Sequence, residues 1–247
     1  EEKKIKDAIL IANDYALKFY QNQLLETDEG KNVGLSYFKE RGFNEAIIKK
    51  FDLAYAPKDR KRLSTQMLKD QFKLDVLLKA GLIKQKGADH YDFFRERVLF
   101  TIRDYVGKVV GFGGRSLTQD KKIPKYLNTP ESEVYNKSKL LYGLYQAKQE
   151  LRKKDNCYLV EGYTDVLSLS QAGIENVVAS AGTALTADQV RLIKRLTSNI
   201  SLLYDGDEAG IKAAMRGLEI CLNEDLHVDM ILLPEGQDPD SFVQENG

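Results

Sequence analysis

From Asp155 onward, short apolar runs alternate with helical segments, and that alternation leaves the second half of the chain very few folds. The runs at 157–160, 176–179, 200–204 and 228–233 have strand length, and the stretches near 163–172, 187–196 and 209–222 have helix length. Parallel strands joined through helices need right-handed crossovers, so the expected product is a mainly parallel sheet covered on both faces. In the last of these helices Ile211, Ala214, Met215, Leu218 and Leu222 share one apolar face at helical spacing.

Three acidic clusters follow apolar runs: Glu161-Gly162-Tyr163-Thr164-Asp165, Asp205-Gly206-Asp207-Glu208-Ala209-Gly210 and Asp238-Pro239-Asp240. Taken singly, each has an ordinary explanation. Asp-Gly-Asp is a common turn sequence, Asp240 can cap the segment Ser241-Phe242-Val243, and Glu161 can pair with a lysine. Taken together, they sit at the carboxyl ends of neighbouring strands, where ligands of such sheets gather. Gathered carboxylates repel one another unless a positive charge offsets them. A divalent cation does so, and Mg²⁺ commonly takes one or two carboxylates together with substrate phosphates. Several carboxylates also hold two metal ions roughly 4 Å apart, one activating an attacking oxygen and the other stabilising a leaving oxygen. Glu161 is equally suited to general acid or base work. Asp165, one helical turn after Glu161, is placed either to orient it or to reach a metal through water.

The zero formal net charge conceals a division. Residues 1–94 carry 18 Lys+Arg against 15 Asp+Glu, residues 95–154 carry 14 against 6, and residues 155–247 carry 5 against 16. A basic middle attracts polyanions by neutralising phosphates and releasing counterions. It equally suits charge balance against the acidic end. No apolar stretch reaches membrane-spanning length and the charged opening does not read as a signal peptide. Cys157 and Cys221, both in apolar contexts, read as reduced core thiols of a cytoplasmic protein. Without a CxxC or CxxH pair, no structural zinc site is expected in this segment.

The first half has a different character. Ile5, Ile9, Ala12, Ala16 and Phe19 predict an opening helix. Short helices are expected near 35–38 and 46–48, and longer ones over 63–72 and 74–80, the last closed by Gly81. The apolar runs 97–103 and 108–112 flank Asp104-Tyr105-Val106-Gly107 as a hairpin. Gly113-Gly114-Arg115 then offers either a close backbone approach to phosphate or a plain tight turn. A Gly- and Pro-broken stretch with Lys121, Lys122, Lys125 and Asn128 reads as loop.

Several of these segments, in this order, resemble the RNA polymerase core of bacterial replicative primases of the DnaG type, whose second half is a TOPRIM domain. They are Arg95-Glu96-Arg97-Val98-Leu99-Phe100, Gly111-Phe112-Gly113-Gly114-Arg115, Pro124-Lys125-Tyr126-Leu127-Asn128-Thr129-Pro130-Glu131, Lys139-Leu140-Leu141-Tyr142-Gly143-Leu144 and the first two acidic motifs. The acidic motifs alone indicate the wider TOPRIM group, whereas the basic segments point to primase. The likeness runs from about residue 30 to the end.

The resemblance implies an α/β chain with a mixed α+β basic subdomain at 1–150 and a TOPRIM domain at 151–247. It implies synthesis of short RNA primers on single-stranded DNA from ribonucleoside triphosphates, in the bacterial cytoplasm. It makes Glu161, Asp205 and Asp207 the catalytic acids and adds Asp238 and Asp240 to them as ligands of Mg²⁺ or Mn²⁺, with Asp165 in support. Arg97, Arg115, Lys125, Asn128 and Lys137 fall in the segments that line the groove for template and nucleotide. Thr164 stands where Met is common, at a position that carries no ligand. The chain is expected to be an excised catalytic core, without the zinc-binding domain and without the C-terminal domain through which a replicative helicase would be met. The alternatives are a TOPRIM nuclease or topoisomerase and a non-catalytic nucleic-acid-binding module. A topoisomerase would need a nucleophilic tyrosine, usually in another domain, and the primase-like basic half argues against this class. The binding module is favoured if the acidic cluster fails to bind metal, since an uncompensated cluster would repel DNA.

Overall fold

A computed structural model describes residues 2–246 of the chain. It divides into two compact units, the first ending at Asn136 and the second beginning at Lys137. The expected domain boundary at 150/151 lies within a helix of the second unit.

The first unit runs α1 (Glu2–Glu26), a π-helical turn (Gly30–Leu35), α2 (Ser36–Glu40), α3 (Glu45–Lys50), β1 (Ala54–Ala56), α4 (Arg62–Lys69), α5 (Leu74–Lys79), β2 (Ile83–Lys86), β3 (Asp89–Asp92), β4 (Arg97–Arg103), β5 (Val109–Ser116) and β6 (Tyr126–Asn128). Of the stripe that predicted α1, Ile9, Ala12 and Ala16 are buried and Ile5 and Phe19 half-buried; Tyr20, next to the stripe, is buried as well and meets Phe112 of β5 edge to face. Asn44 starts α3 by accepting the Ile47 N–H at 2.9 Å, and Gly81 closes α5 with φ of +69°, as its position suggests. The antiparallel sheet has the order β1-β4-β5-β6, and β2 pairs with β3 in a separate hairpin. Asp104 builds the β4–β5 turn, its Oδ1 accepting the N–H groups of Val106, Gly107 and Lys108 at 3.0, 2.8 and 2.8 Å.

Two sequence expectations change here. Gly113 and Gly114 form neither a turn nor a loop; they lie inside β5, paired with Phe100 and Leu99. Gly114 is small because a Cβ there would come within 2.7 Å of the Phe94 ring and 3.0 Å of the Arg97 side chain. The stretch read as loop contains β6, which pairs with β5 through residues 126–128.

The second unit opens with a 3₁₀ turn (Lys137–Lys139), followed by α6 (Leu144–Lys154), β7 (Cys157–Val160), α7 (Tyr163–Gln171), β8 (Val177–Ala179), α8 (Ala187–Lys194), β9 (Asn199–Tyr204), α9 (Glu208–Asn223), β10 (His227–Leu232) and α10 (Pro239–Asn246). Every pairing in the order β10-β9-β7-β8 is parallel. The interior strands β7 and β9 are almost wholly buried, as strands covered on both faces should be. Cys157 and Cys221 are free and buried, and burial holds both thiols protonated.

The face of α9 picked out by Ile211, Ala214, Met215, Leu218 and Leu222 is split: Ala214 is buried and Leu218 half-buried, but Ile211 is exposed and Met215 and Leu222 are each 54% exposed. The inward face is Gly210, Ala214, Gly217 and Cys221. Small residues win that face because the helix begins hard against the β9 turn, where a Cβ at Gly210 would lie 2.2 Å from the Asp205 carbonyl oxygen.

Candidate active site

The acidic residues of the second unit collect where β7 and β9 end and α10 begins. Glu161 directly follows β7, and its carbonyl accepts the Ala181 N–H from the β8–α8 loop at 3.1 Å. Asp205 follows β9, and Asp207 caps α9 by accepting the Gly210 N–H at 2.7 Å. Asp238 plays the same part at α10, accepting from Ser241 N at 2.7 Å while the Ser241 hydroxyl accepts the Asp238 N–H at 3.0 Å. Gly206 draws the last two motifs together. Its N–H donates to Gln237 O at 3.1 Å, and its bare Cα faces the Pro234 carbonyl so closely that a Cβ would sit 2.3 Å from that oxygen. The glycine of Asp-Gly-Asp thus serves the approach of two loops.

Asp165 and Asp240 lie beneath this surface. Asp165 is 6% exposed and Asp240 2%. Asp165 accepts the Gly162 N–H at 3.0 Å through Oδ2 and the Asp240 N–H at 3.2 Å through Oδ1. It therefore ties the turn after Glu161 to the start of α10. The Asp240 carboxylate accepts the Ser168 hydroxyl of α7 and, at 2.8 Å, the Gln244 side-chain amide. The expectation that Asp240 stands beside Asp238 as a ligand meets an obstacle in this burial: its Oδ1 faces α7 and its own helix.

Burial, and after it the repulsion of neighbouring carboxylates, raises Glu161, Asp205 and Asp165. Burial raises the Glu161 carboxyl above the usual range, Asp205 and Asp207 push it further, and Arg216 partly opposes them. Asp205 is raised first by burial and then by Asp238 and Asp207. Asp165 is pushed up to about 8, chiefly by burial, then by Asp238 and Asp205, against the favourable Gly162 N–H. At neutral pH it is largely protonated. Among the described residues no three acidic, histidine or cysteine side chains close into a ready metal cage. An all-oxygen donor set that is not closed, with Glu161 and Asp205 raised by burial and then by neighbouring carboxylates, fits a hard divalent cation that completes its shell with water and phosphate oxygens.

In the first unit the expected cationic residues divide by direction. Arg97 is buried, and its guanidinium donates to the carbonyls of Gly114, Lys125 and Pro124 at 3.0, 3.2 and 2.8 Å. It clamps β5 to the segment leading into β6, and burial lowers its pKa. Arg115 lies over the Tyr37 ring at 4.8 Å, and its buried Nε has no hydrogen-bond partner among the described residues. With Lys121 and Lys125 it lines an open cavity of about 790 Å³. Lys125 is exposed, and Asn128 lies in β6 opposite Gly113. The structure thus gathers Arg97, Arg115, Lys125 and Asn128 around β5 and β6. Lys137, exposed, belongs to the second unit, where its carbonyl accepts the Gln189 side-chain amide at 3.0 Å.

Sequence reasoning missed a second cleft of about 470 Å³ in the first unit, lined by Arg60, Lys86, Tyr91, Phe93 and Arg95 among others. Arg60 lies over the Tyr91 ring at 5.5 Å and pairs with Asp89 at 2.8 Å. Aromatic and basic residues do alternate along Tyr91-Asp92-Phe93-Phe94-Arg95, but Arg60 joins them only through the β2–β3 hairpin. Arg216 was missed as well, since nothing in its local sequence links it to Glu161.

Comparison with known proteins decides the family. The family model described as the DNA primase catalytic core, N-terminal domain, matches residues 19–148, more than half of the chain. The chain belongs to the DNA primase catalytic-core family. A Toprim-like model matches residues 158–243. Among the family's curated members, the DNA primase of Halalkalibacterium halodurans is 39% identical over 249 aligned residues, covering 100% of this chain and 41% of that protein. The DNA primase of Clostridium acetobutylicum is 42% identical, with 100% and 40% covered. The chain therefore spans about two fifths of these relatives. Its structure is similar to the zinc-binding and RNA polymerase domains of Aquifex aeolicus primase, with a TM-score of 0.91 at 38% identity, covering 98% of this chain and 59% of that one. It is equally similar to a DnaG primase catalytic domain bound to single-stranded DNA, with a TM-score of 0.91 at 37% identity and coverage of 99% and 77%.

Proposed function

We propose that this chain is the catalytic centre for synthesis of short RNA primers from ribonucleoside triphosphates on a single-stranded DNA template. The observation that carries the reading is the convergence of Glu161, Asp205, Asp207 and Asp238 at the strand ends of a Toprim-like sheet, in a chain of the primase core family. In the reaction a 3′-hydroxyl oxygen attacks the α-phosphorus of a triphosphate, the bond to the β-phosphate oxygen breaks, and pyrophosphate leaves.

Glu161, Asp205, Asp207 and Asp238 would hold Mg²⁺ or Mn²⁺, which when bound supplies charge compensation for the triphosphate. Glu161, with its raised pKa, is suited to take the hydroxyl proton. Asp165 and Asp240 act one layer below, holding the Glu161 turn and the start of α10 in place. Arg115 and Lys125 would meet phosphates, Arg97 shapes the strand that carries Arg115, and Asn128 and Lys137 add polar contacts to template or nucleotide. The Arg60–Tyr91 cleft suits single-stranded DNA, which binds where cations track the backbone and aromatic rings stack bases. No described helix is long and apolar enough to cross a membrane; the bacterial cytoplasm is the proposed setting.

The test is one incubation of the chain with labelled single-stranded DNA, ribonucleotides and Mn²⁺, beside Glu161→Gln and Asp205→Asn. New RNA that both variants fail to make, with unchanged melting curves, is the expected result. RNA synthesis undiminished in both variants would remove the acids from the chemistry, and cut DNA would move the chain to the nuclease class.

A further inference from the structure

We propose that a cavity beside Glu161 in the second unit is a ribonucleoside pocket that seats one of the two nucleotides being joined. The proposal rests on the primer-synthesis reading and deepens it. The cavity measures about 440 Å³ and opens between the β8–α8 loop and the middle of α9. That volume lies in the range of small-ligand sites, which pair apolar walls with a few placed polar groups.

Its walls are of two kinds. Leu185, Ala213 and Gly217 make an apolar slot. α9 presents small side chains there, and a Cβ added at Gly217 would fit without a clash, meeting Leu202, Tyr204 and Leu185 at the ordinary contact distances of 3.5–3.6 Å. The hydroxyl residues Ser180 and Thr183 stand on the loop side, able to donate to or accept from ribose hydroxyls. Neither a phosphate nor a metal needs the apolar slot, whereas a nucleoside offers a flat apolar base and a polyhydroxyl ring together.

Glu161 places this pocket in the chemistry. It lines the cavity and also interacts electrostatically with Asp205 and Asp207, so an occupant lies directly beside the acidic centre. Arg216 stands on the same wall and opposes the acids' charge. It gives the occupant's phosphate a cation at a place where the other nearby charges are negative. Base in the slot, ribose against Thr183 and phosphate near Arg216 leave the sugar hydroxyls facing Glu161.

The test uses the whole chain with Mn²⁺ and three probes followed by calorimetry: ATP, inorganic tripolyphosphate and the dinucleotide ApA. Ala213→Leu fills the slot with a residue of good helix propensity, and Gly217→Ala narrows it more gently. Thermal melts check that both variants fold. The pocket predicts at least about tenfold weaker binding of ATP or ApA to Ala213→Leu, a smaller loss in Gly217→Ala, and tripolyphosphate binding unchanged in both. Loss confined to ATP assigns the pocket to the incoming nucleotide, and loss confined to ApA assigns it to the growing 3′ end; both support it. Unchanged binding of both nucleotide probes overturns it, as does equal weakening of tripolyphosphate. Wild-type protein that binds neither ATP nor tripolyphosphate would instead overturn the primer-synthesis reading itself, and the pocket with it.

Discussion

Asp240 offers the sharpest test of how the acidic residues divide their work. Replacing it with alanine removes the acceptor of the Ser168 hydroxyl and of the Gln244 amide. Ser168 is 4% exposed, so its hydroxyl cannot turn to water, and an unsatisfied buried group costs about 1–3 kcal/mol. The small void adds to this, while loss of one carboxylate beside Asp165 subtracts some repulsion. The balance is a destabilisation of about 2 kcal/mol, a fall of several degrees in the midpoint of the second unit. Asp240→Asn keeps the shape and a carbonyl acceptor for Ser168, so it should stay within about 1 kcal/mol of wild type. The decisive comparison is Mn²⁺ binding, followed by calorimetry or electron paramagnetic resonance. A positioning residue predicts that Asp240→Asn binds Mn²⁺ within a few-fold of wild type, whereas Asp205→Asn loses it. If Asp240→Asn keeps its stability yet loses Mn²⁺ as completely as Asp205→Asn, its carboxylate is a ligand and the reasoning from burial is wrong.

Asp165 keeps its proton to about pH 8 in the fold but only to about 3.9 in an unfolded chain, so between those values the folded state binds more protons and stability falls as pH rises. In metal-free protein, Asp165→Asn should flatten that fall in urea denaturation between pH 4 and 8; parallel curves would refute the assigned proton. Arg97→Ala strips three main-chain carbonyls of their donor and should cost about 3 kcal/mol in the first unit. Lys125→Ala, at an exposed position, should leave stability within about 0.5 kcal/mol while lowering the salt dependence of single-stranded DNA binding by about one charge. Equal melting curves for those two variants would sink the distinction. Tyr91→Ala should weaken single-stranded DNA binding by about 1–3 kcal/mol if bases stack in the Arg60 cleft, measured by fluorescence anisotropy; an unchanged affinity places the template elsewhere.

Elements and strand ends were legible because period and punctuation are local. Four apolar runs separated by helical stretches, three of them followed by carboxylates, were enough to place Glu161 and Asp205 at the carboxyl edge of a parallel sheet. Direction was not legible, because it depends on what a residue meets from elsewhere in the chain. Arg97 and Arg115 lie in adjacent strands of one sheet, yet Arg97 turns inward to three carbonyls and Arg115 lies over Tyr37. On α9 the apolar stripe from Ile211 to Leu222 suggested one packing face, of which Ala214 packs inward, but the close approach at Gly210 turned the face of Gly210, Ala214, Gly217 and Cys221 to the sheet and left Met215 and Leu222 exposed. Asp238 and Asp240 look equivalent in sequence. The first caps α10, and the second, two positions on and so about 200° further round the helix, is carried into the core against Ser168. The chain's own pattern determined which elements form and where the carboxylates emerge. Only the packing of α7, α9 and α10 decided which carboxylates reach the surface and which, like Asp165 and Asp240, are buried beneath them, because burial is a property of contacts distant in sequence.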